Sequence, residues 1–287
     1  MDFEAFSRSI LETGAYRTPE SIRRGIPARL LGGRAWWFYA QVLATVIHGR
    51  FVSAGRKFGR RQWAYHAFLM MRAAERAGGS VTMEGMNALR SGPWPVVVAA
   101  NHMSMLETMI LPCPVMLYGD VSVVVKESLK HYPLFGYILR QTRPIFVSRR
   151  DPRTDLKTVL SEGEKLLSEG RSMVIFPQAT RRPWFDSSEF NTMAVKLARR
   201  AAVPVVPVAL QTDFQGIGRF LRDFGPLDRT RPIRFKMGNP IPVTGNGREA
   251  HREVLRFIEA AFREWGLDVR SGPEQERCEE YLPEAAQ

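Results

Sequence analysis

An α/β fold is the class this sequence predicts: a mostly parallel or mixed sheet flanked by helices, with a two-helix segment ahead of it. Three observations lead there. From Val81 onward, short apolar runs of strand length alternate with longer stretches of helical period. Ahead of Val81 lie two helix-length segments rich in aromatic and cationic residues, Ala35–Ile47 and Trp63–Met71. The composition, 45% hydrophobic and 24% charged over 287 residues, is that of a globular chain with room for one large core plus an appendage.

In chain order, the first thirty or so residues are polar and basic, and Pro19 and Pro27 interrupt any long helix. Ala35–Ile47 is an apolar stretch of thirteen residues, short of the roughly 20 that a membrane-spanning helix needs. A basic cluster follows (Arg56, Lys57, Arg60, Arg61), then Trp63–Met71. Paired aromatic and cationic helices read as an interfacial membrane anchor or as a helical hairpin packed on the core. Val96–Ala100, Val121–Val125, Pro144–Ser148, Ser172–Phe176, Val203–Leu210 and Ile233–Met237 read as strands. Thr154–Glu169 reads as a helix capped by Thr154 or Asp155 and ended by Gly170. Phe190–Ala202 and Arg248–Trp265 repeat the helical period. The expected organisation is a docking segment over 1–80, an α/β domain over 81–268, and an acidic, disordered tail over 269–287.

The net charge of +12 and a pI near 10.2 call for an anionic partner: nucleic acid, an acidic membrane surface or a phosphorylated substrate. Residues 1–80 carry thirteen Lys/Arg against five Asp/Glu, and from Ser271 onward there are five glutamates and one arginine. Two cysteines, Cys113 and Cys278, with no CxxC, indicate neither a disulfide framework nor a metal site and suit a reducing compartment. The N-terminus reads as lacking a signal peptide, since Asp2 and Glu4 precede any apolar run.

The chemistry concentrates after three strands. Asn101-His102-Met103-Ser104-Met105-Leu106-Glu107 follows Val96–Ala100, so His102 falls in a strand-to-helix turn, where open α/β sheets place their sites. Histidine is the usual general base near neutral pH, and a carboxylate can fix its tautomer. Five helical steps separate side chains by about 140°, so the pair meets only if His102 lies in the turn and Glu107 lies in the helix. Phe146–Arg150 and Phe176–Arg182, each ending in an arginine pair, follow two other strands. Parallel strands bring all three turns to one edge, setting a base dyad beside a phosphate-binding arginine site.

These residues resemble the glycerolipid acyltransferases, the phospholipid/glycerol acyltransferase family that includes 1-acylglycerol-3-phosphate acyltransferase. The family's NHxSxxD is matched by residues 101–107. Its K-x-x-L…P-x-x-G…F-x-x-R block is matched by Lys126, Leu129, Pro133, Gly136, Phe146 and Arg149. Its F-P-E-G-T-R is matched by FPQATR at 176–181, and its V-P-V-x-P-V by residues 203–208, with order and spacing agreeing over about 81–242. The aromatic and basic N-terminus is also similar to the family's membrane-docking segment.

The resemblance implies acyl transfer from an acyl thioester, acyl-CoA or acyl carrier protein, to a hydroxyl of a lysophospholipid. His102 is then the base, Glu107 its orienting carboxylate, and Arg149 and Arg181 the phosphate ligands, with Lys126 a weaker one. Gln178, Ala179 and Thr180 complete the acceptor site. No metal or cofactor is implied beyond the thioester co-substrate. The expected location is peripheral, on the cytoplasmic face of the inner or plasma membrane. Four departures stand out: Glu107 replaces aspartate, Gln178 glutamate, Ala179 glycine, and Ser148 a frequent aspartate. If position 179 has positive φ, alanine there costs about 1–2 kcal/mol. The last three departures touch the acceptor site and imply a diverged acceptor or a decay of activity. The reading from another class is a non-catalytic lipid- or acyl-carrier-binding protein on the same fold.

Other signals carry less. His48, His66, His131 and His251 lack partners at ligand spacing, and Gly245–Ala250 reads as a helix-start turn, since Pro240 and Pro242 disrupt the strand a dinucleotide site requires. No GxSxG or P-loop is present, so Ser104 is not read as a hydrolase nucleophile. No nucleic-acid-binding module accompanies the charge.

Overall fold

Continuous runs of β-branched residues fit strands covered on both faces, and the centre of the sheet is built from them. The computed structural model describes residues 2–23, 35–54, 58–178, 180–219 and 221–270. The first elements are α1 (Phe3–Thr13), β1 (Tyr16–Arg17), α2 (Glu20–Arg23), α3 (Ala35–Val52), α4 (Arg60–Arg76), β2 (Val81–Glu84) and α5 (Ala88–Ser91). Then come β3 (Val97–Ala100), α6 (Leu106–Ile110), α7 (Pro112–Met116), β4 (Val121–Lys126), α8 (Phe135–Gln141), β5 (Ile145–Val147) and α9 (Pro152–Ser168). The chain continues through β6 (Ser172–Ile175), β7 (Phe185–Asp186), α10 (Met193–Arg200), β8 (Val205–Gln211), β9 (Ile233–Met237), α11 (Arg248–Glu264) and β10 (Val269–Arg270).

Eight strands form one mixed sheet in the order β1-β2-β9-β8-β3-β6-β4-β5, and β7 and β10 pair separately in parallel. The stretch β8-β3-β6-β4-β5 is parallel throughout, while β9 runs antiparallel to β8. The carboxyl ends of five strands therefore open on one edge. Side chains alternate along each strand. In β3, Val98 and Ala100 join the core under α1, α3, α4, α6 and α7, with Phe6, Phe38, Phe68, Met71, Leu106 and Ile110. Val97 and Ala99 face the opposite layer under α9, α10 and α11, with Val159, Leu197, Val254, Ile258 and Phe262.

The six strands expected from the sequence are all present, with ends shifted by one or two residues. Four strands, β1, β2, β7 and β10, were not expected: β1, β7 and β10 have two residues each, and β2 (Val-Thr-Met-Glu) has no continuous apolar run. β1 pairs antiparallel with β2, so the chain ahead of residue 80 is built into the sheet. Glu75 of α4 fastens this edge: fully buried, it accepts hydrogen bonds from Tyr16 Oη at 2.6 Å and Thr18 Oγ1 at 2.7 Å, and pairs with Arg72. Burial first, and then the Glu75 charge, push the Tyr16 hydroxyl pKa well up, so it stays a donor.

Helix ends carry two corrections. The cap of α9 is Asp151, not Thr154 or Asp155. Pro152 pre-sets the first helical φ, and the Asp151 carboxylate accepts from the Arg153 amide at 3.0 Å. α10 is shorter than the expected Phe190–Ala202, because Asn191 Oδ1 accepts from the Met193 amide at 2.9 Å and fixes the start there. Gly170 (φ 79°) closes α9 in the left-handed conformation, and Gly247 (φ 78°) precedes α11, so the glycine-rich stretch there is a helix-start turn. Residues 56 and 57 of the basic cluster and the expected tail from 271 onward lie outside the described residues.

Candidate active site

His102 sits in the turn after β3, and Glu107 in the first turn of α6, the arrangement the five-residue spacing demands. His102 Nδ1 and Glu107 Oε1 are 2.7 Å apart. Glu107 is fully buried, and its acidity is set by opposing effects. Burial alone would push its carboxyl up. The hydrogen bond and charge of His102, the Thr212 hydroxyl and the Ser104 amide outweigh burial and hold it below the usual glutamate value. The remaining donors are the Met103 amide at 2.8 Å, the Ser104 amide at 2.9 Å and Ser104 Oγ at 2.9 Å. An ionised carboxylate only accepts, so His102 Nδ1 carries the hydrogen and Nε2 keeps its lone pair. The imidazole leans on the Phe176 ring, with centroids 4.9 Å apart, which fixes its plane.

Gln178 is 2% exposed and lies behind the base, accepting from the His102 amide through Oε1 at 2.7 Å. That contact settles the orientation of its amide and leaves Nε2 buried with no partner. The Arg182 amide donates to the His102 carbonyl at 3.0 Å, so the loop after β6 is stitched to the loop after β3 on both sides of the histidine. Gln178 thus contacts the base's backbone. Ala179 lies outside the described residues.

Arg149 follows β5 in the left-handed region at φ 58°, a conformation that costs a non-glycine residue about 1 kcal/mol or more. Asp155, in the first turn of α9, holds it there by accepting from the Ser148 amide at 2.8 Å and the Arg149 amide at 2.7 Å. Burial first, then the neighbouring Arg181 guanidinium, push the Arg149 pKa down, so the two cations are close enough to feel each other. Among the described residues the Arg149 guanidinium makes no ion pair, whereas Arg181 Nη2 meets Asp223 Oδ1 at 2.6 Å. Thr180 Oγ1 is 3.5 Å from Arg222 Nη2. Lys126, at the end of β4, is exposed and makes no ion pair among the described residues.

The sequence reading missed three participants. Thr212 follows β8, which ends on the same edge, and its hydroxyl donates to Glu107 Oε2. The strand-end rule that marks the other loops would have marked it. Asp155 lies in a helix start, where a carboxylate reads as a cap. Asp223 lies in the long connection between β8 and β9, where no local pattern signals a role.

Because the folded pKa of Glu107 is depressed, the stability its charge contributes is present above the unfolded carboxylate range and is lost as pH falls through the folded pKa. Thr212→Val keeps the shape and removes a donor. It should cost about 1–3 kcal/mol and move acid unfolding, followed by circular dichroism, to higher pH. An unchanged acid midpoint would show that Thr212 does not support the carboxylate.

The chain resembles known proteins over the same strands. The family profile described as Acyltransferase matches residues 80–211, from β2 through β8. A 1-acyl-sn-glycerol-3-phosphate acyltransferase of Pseudomonas aeruginosa is 26% identical over 262 residues, covering 91% of this chain and 95% of that protein. A lyso-ornithine lipid O-acyltransferase of Rhizobium meliloti is 30% identical over 118 residues, 40% of this chain and 38% of that protein. Among solved structures, the 1-acyl-sn-glycerophosphate acyltransferase of Thermotoga maritima superposes with a TM-score of 0.60 at 20% identity, over 81% of this chain and 94% of that one, a likeness of fold. The family match takes in the strands that carry His102, Arg149 and Arg181, and with the names of these relatives it supports an O-acyltransferase.

Proposed function

We propose that this chain moves a fatty acyl group from an acyl thioester, acyl-CoA or acyl carrier protein, to a hydroxyl of a lysophospholipid such as 1-acylglycerol-3-phosphate. The observation that carries the reading is the His102–Glu107 pair, with Nε2 free, on the same sheet edge as Arg149 and Arg181. His102 Nε2 takes the hydroxyl proton as that oxygen attacks the thioester carbonyl, and Glu107 stabilises the resulting imidazolium. The tetrahedral intermediate collapses, the C–S bond breaks, and the leaving thiolate recovers the proton from His102. Arg149 and Arg181 hold the acceptor's phosphate. Arg149 is the better preorganised, since its backbone is clamped and its guanidinium has no ion pair among the described residues.

The relatives bear names with different acceptors, 1-acyl-sn-glycerol-3-phosphate and lyso-ornithine lipid. The phosphate is favoured here by the arginine pair, which matches it in charge and geometry.

The enzyme works at a membrane surface, on the cytoplasmic face, without spanning it. No helix among the described residues is long and apolar enough to cross a bilayer. α3 buries Phe38, Val42, Thr45 and Gly49 on one face, while Trp36, Leu43, Ile47 and Phe51 stay exposed on the other, Phe51 at 74%. A helix apolar all round but covered on one side is suited to an interface between protein and lipid.

Purified protein given a labelled acyl thioester and a panel of 1-acylglycerol-3-phosphate, lyso-ornithine lipid and an uncharged lysolipid should acylate the first best. His102→Ala should reduce transfer by about 10²- to 10⁴-fold. Undiminished transfer would remove His102 as the base, and no transfer to any acceptor would favour a binding protein on this fold. Docking is tested by co-sedimentation with anionic liposomes. Leu43→Asp with Phe51→Asp, both at exposed positions, should abolish it and salt should weaken it. Unchanged sedimentation would reject the α3 face as the anchor.

A further inference from the structure

We infer that Asp223 is a built-in competitor for the acceptor's phosphate at Arg181, and that it sets how strongly the acceptor is held. The ligand's identity rests on the acyl-transfer reading above. The competition rests on the ion pair itself. Asp223 Oδ1 lies 2.6 Å from Arg181 Nη2, and both side chains are mostly covered, at 21% and 25% exposure. The charge of Arg181 is therefore already answered before any ligand arrives, unlike that of Arg149.

The carboxylate is presented by a fastened segment. Gln215 Nε2 donates to the Asp223 carbonyl at 2.9 Å and lies 3.2 Å from Tyr39 Oη. Tyr39 Oη donates to the Gly225 carbonyl at 2.7 Å, and its ring meets Phe224 at 5.0 Å. Asp223 is thus held from α3, the helix with the exposed apolar face.

A phosphate bridging Arg149 and Arg181 must displace the Asp223 carboxylate from the guanidinium or bind against its charge. A dianionic phosphate, with three acceptor oxygens and two arginines to engage, overcomes that competitor. A headgroup without a strong anion does not. Asp223 therefore weakens the hold on any anion that must displace it and leaves an uncharged headgroup unaffected, so an opposing charge tempers affinity for the phosphate.

The test is a calorimetric titration of glycerol 3-phosphate, the acceptor's headgroup, into the full-length protein, with Asp223→Asn, Asp223→Ser, Asp223→Glu and Arg181→Ala beside the wild type. Removing the carboxylate should tighten binding by about three- to tenfold. Asp223→Glu should restore the weaker affinity, and Arg181→Ala combined with Asp223→Asn should cancel the gain. Unchanged or weaker binding in both Asp223→Asn and Asp223→Ser, with melting curves showing folded protein, would overturn the inference and make Asp223 a support for Arg181. In transfer assays the same gain should appear as a lower KM for 1-acylglycerol-3-phosphate, with the KM for an uncharged lysolipid unchanged. Binding decides the role of Asp223, whereas absence of transfer in the wild type would count against the proposed function alone.

Discussion

A carboxylate with no exposure to water is tolerated only when its oxygens are satisfied, and the Glu107 network is the constraint around which this site is organised. Its donors come from His102, Met103, Ser104 and Thr212, so one side chain ties the loop after β3 to the end of β8 and to the start of α6. The network has one chemical result. With Glu107 ionised and accepting, His102 can present only its Nε2 lone pair to a ligand. Ser104 has a structural part in this: its hydroxyl donates to Glu107 and accepts from the Leu106 amide at 3.0 Å, which leaves it no role as a nucleophile.

The sheet supplies the rest by direction alone. Because β8-β3-β6-β4-β5 is parallel, turns distant in sequence converge without special packing. Each loop is then fixed by its own polar device. Asp155 holds Arg149 in its left-handed turn, Gln178 anchors the His102 amide, and the Arg182 amide closes on the His102 carbonyl. Precision on loops requires such local anchors, since the strands position only the points from which the loops depart. The aromatic and basic N-terminal chain is tied into the same body, through Phe6 and Phe68 in the core and Glu75 at the sheet edge. Phe38 and Val42 of α3 join the same core, so the exposed apolar face of α3 is backed by it.

Much of this was legible in the sequence because it rests on periodicity. Strands buried on both faces write themselves as unbroken apolar runs, and the five-residue interval from His102 to Glu107 carries its own geometry. What was not legible depends on tertiary contact. β1, β7 and β10 have too few residues for a pattern, and β2 lacks the continuous apolar run that marks the central strands. Gln178 follows a strand as a ligand-facing residue would, yet its side chain turns back onto the backbone of His102. Asp223 gains its meaning only when the chain between β8 and β9 folds over Arg181. Asp155 looks like a helix cap, and the cap is Asp151, because Pro152 sets the start of α9 three residues earlier.

The central claim is that an ionised Glu107 holds His102 as a base, and substitution at that one position tests it most directly. The ratio kcat/KM for acyl transfer should be compared among wild type, Glu107→Asp and Glu107→Gln, each shown to be folded. The account predicts that aspartate, which keeps the charge, retains activity to within about tenfold, while glutamine, which cannot enforce the tautomer, loses on the order of 10³- to 10⁴-fold. A glutamine variant as active as wild type would contradict it.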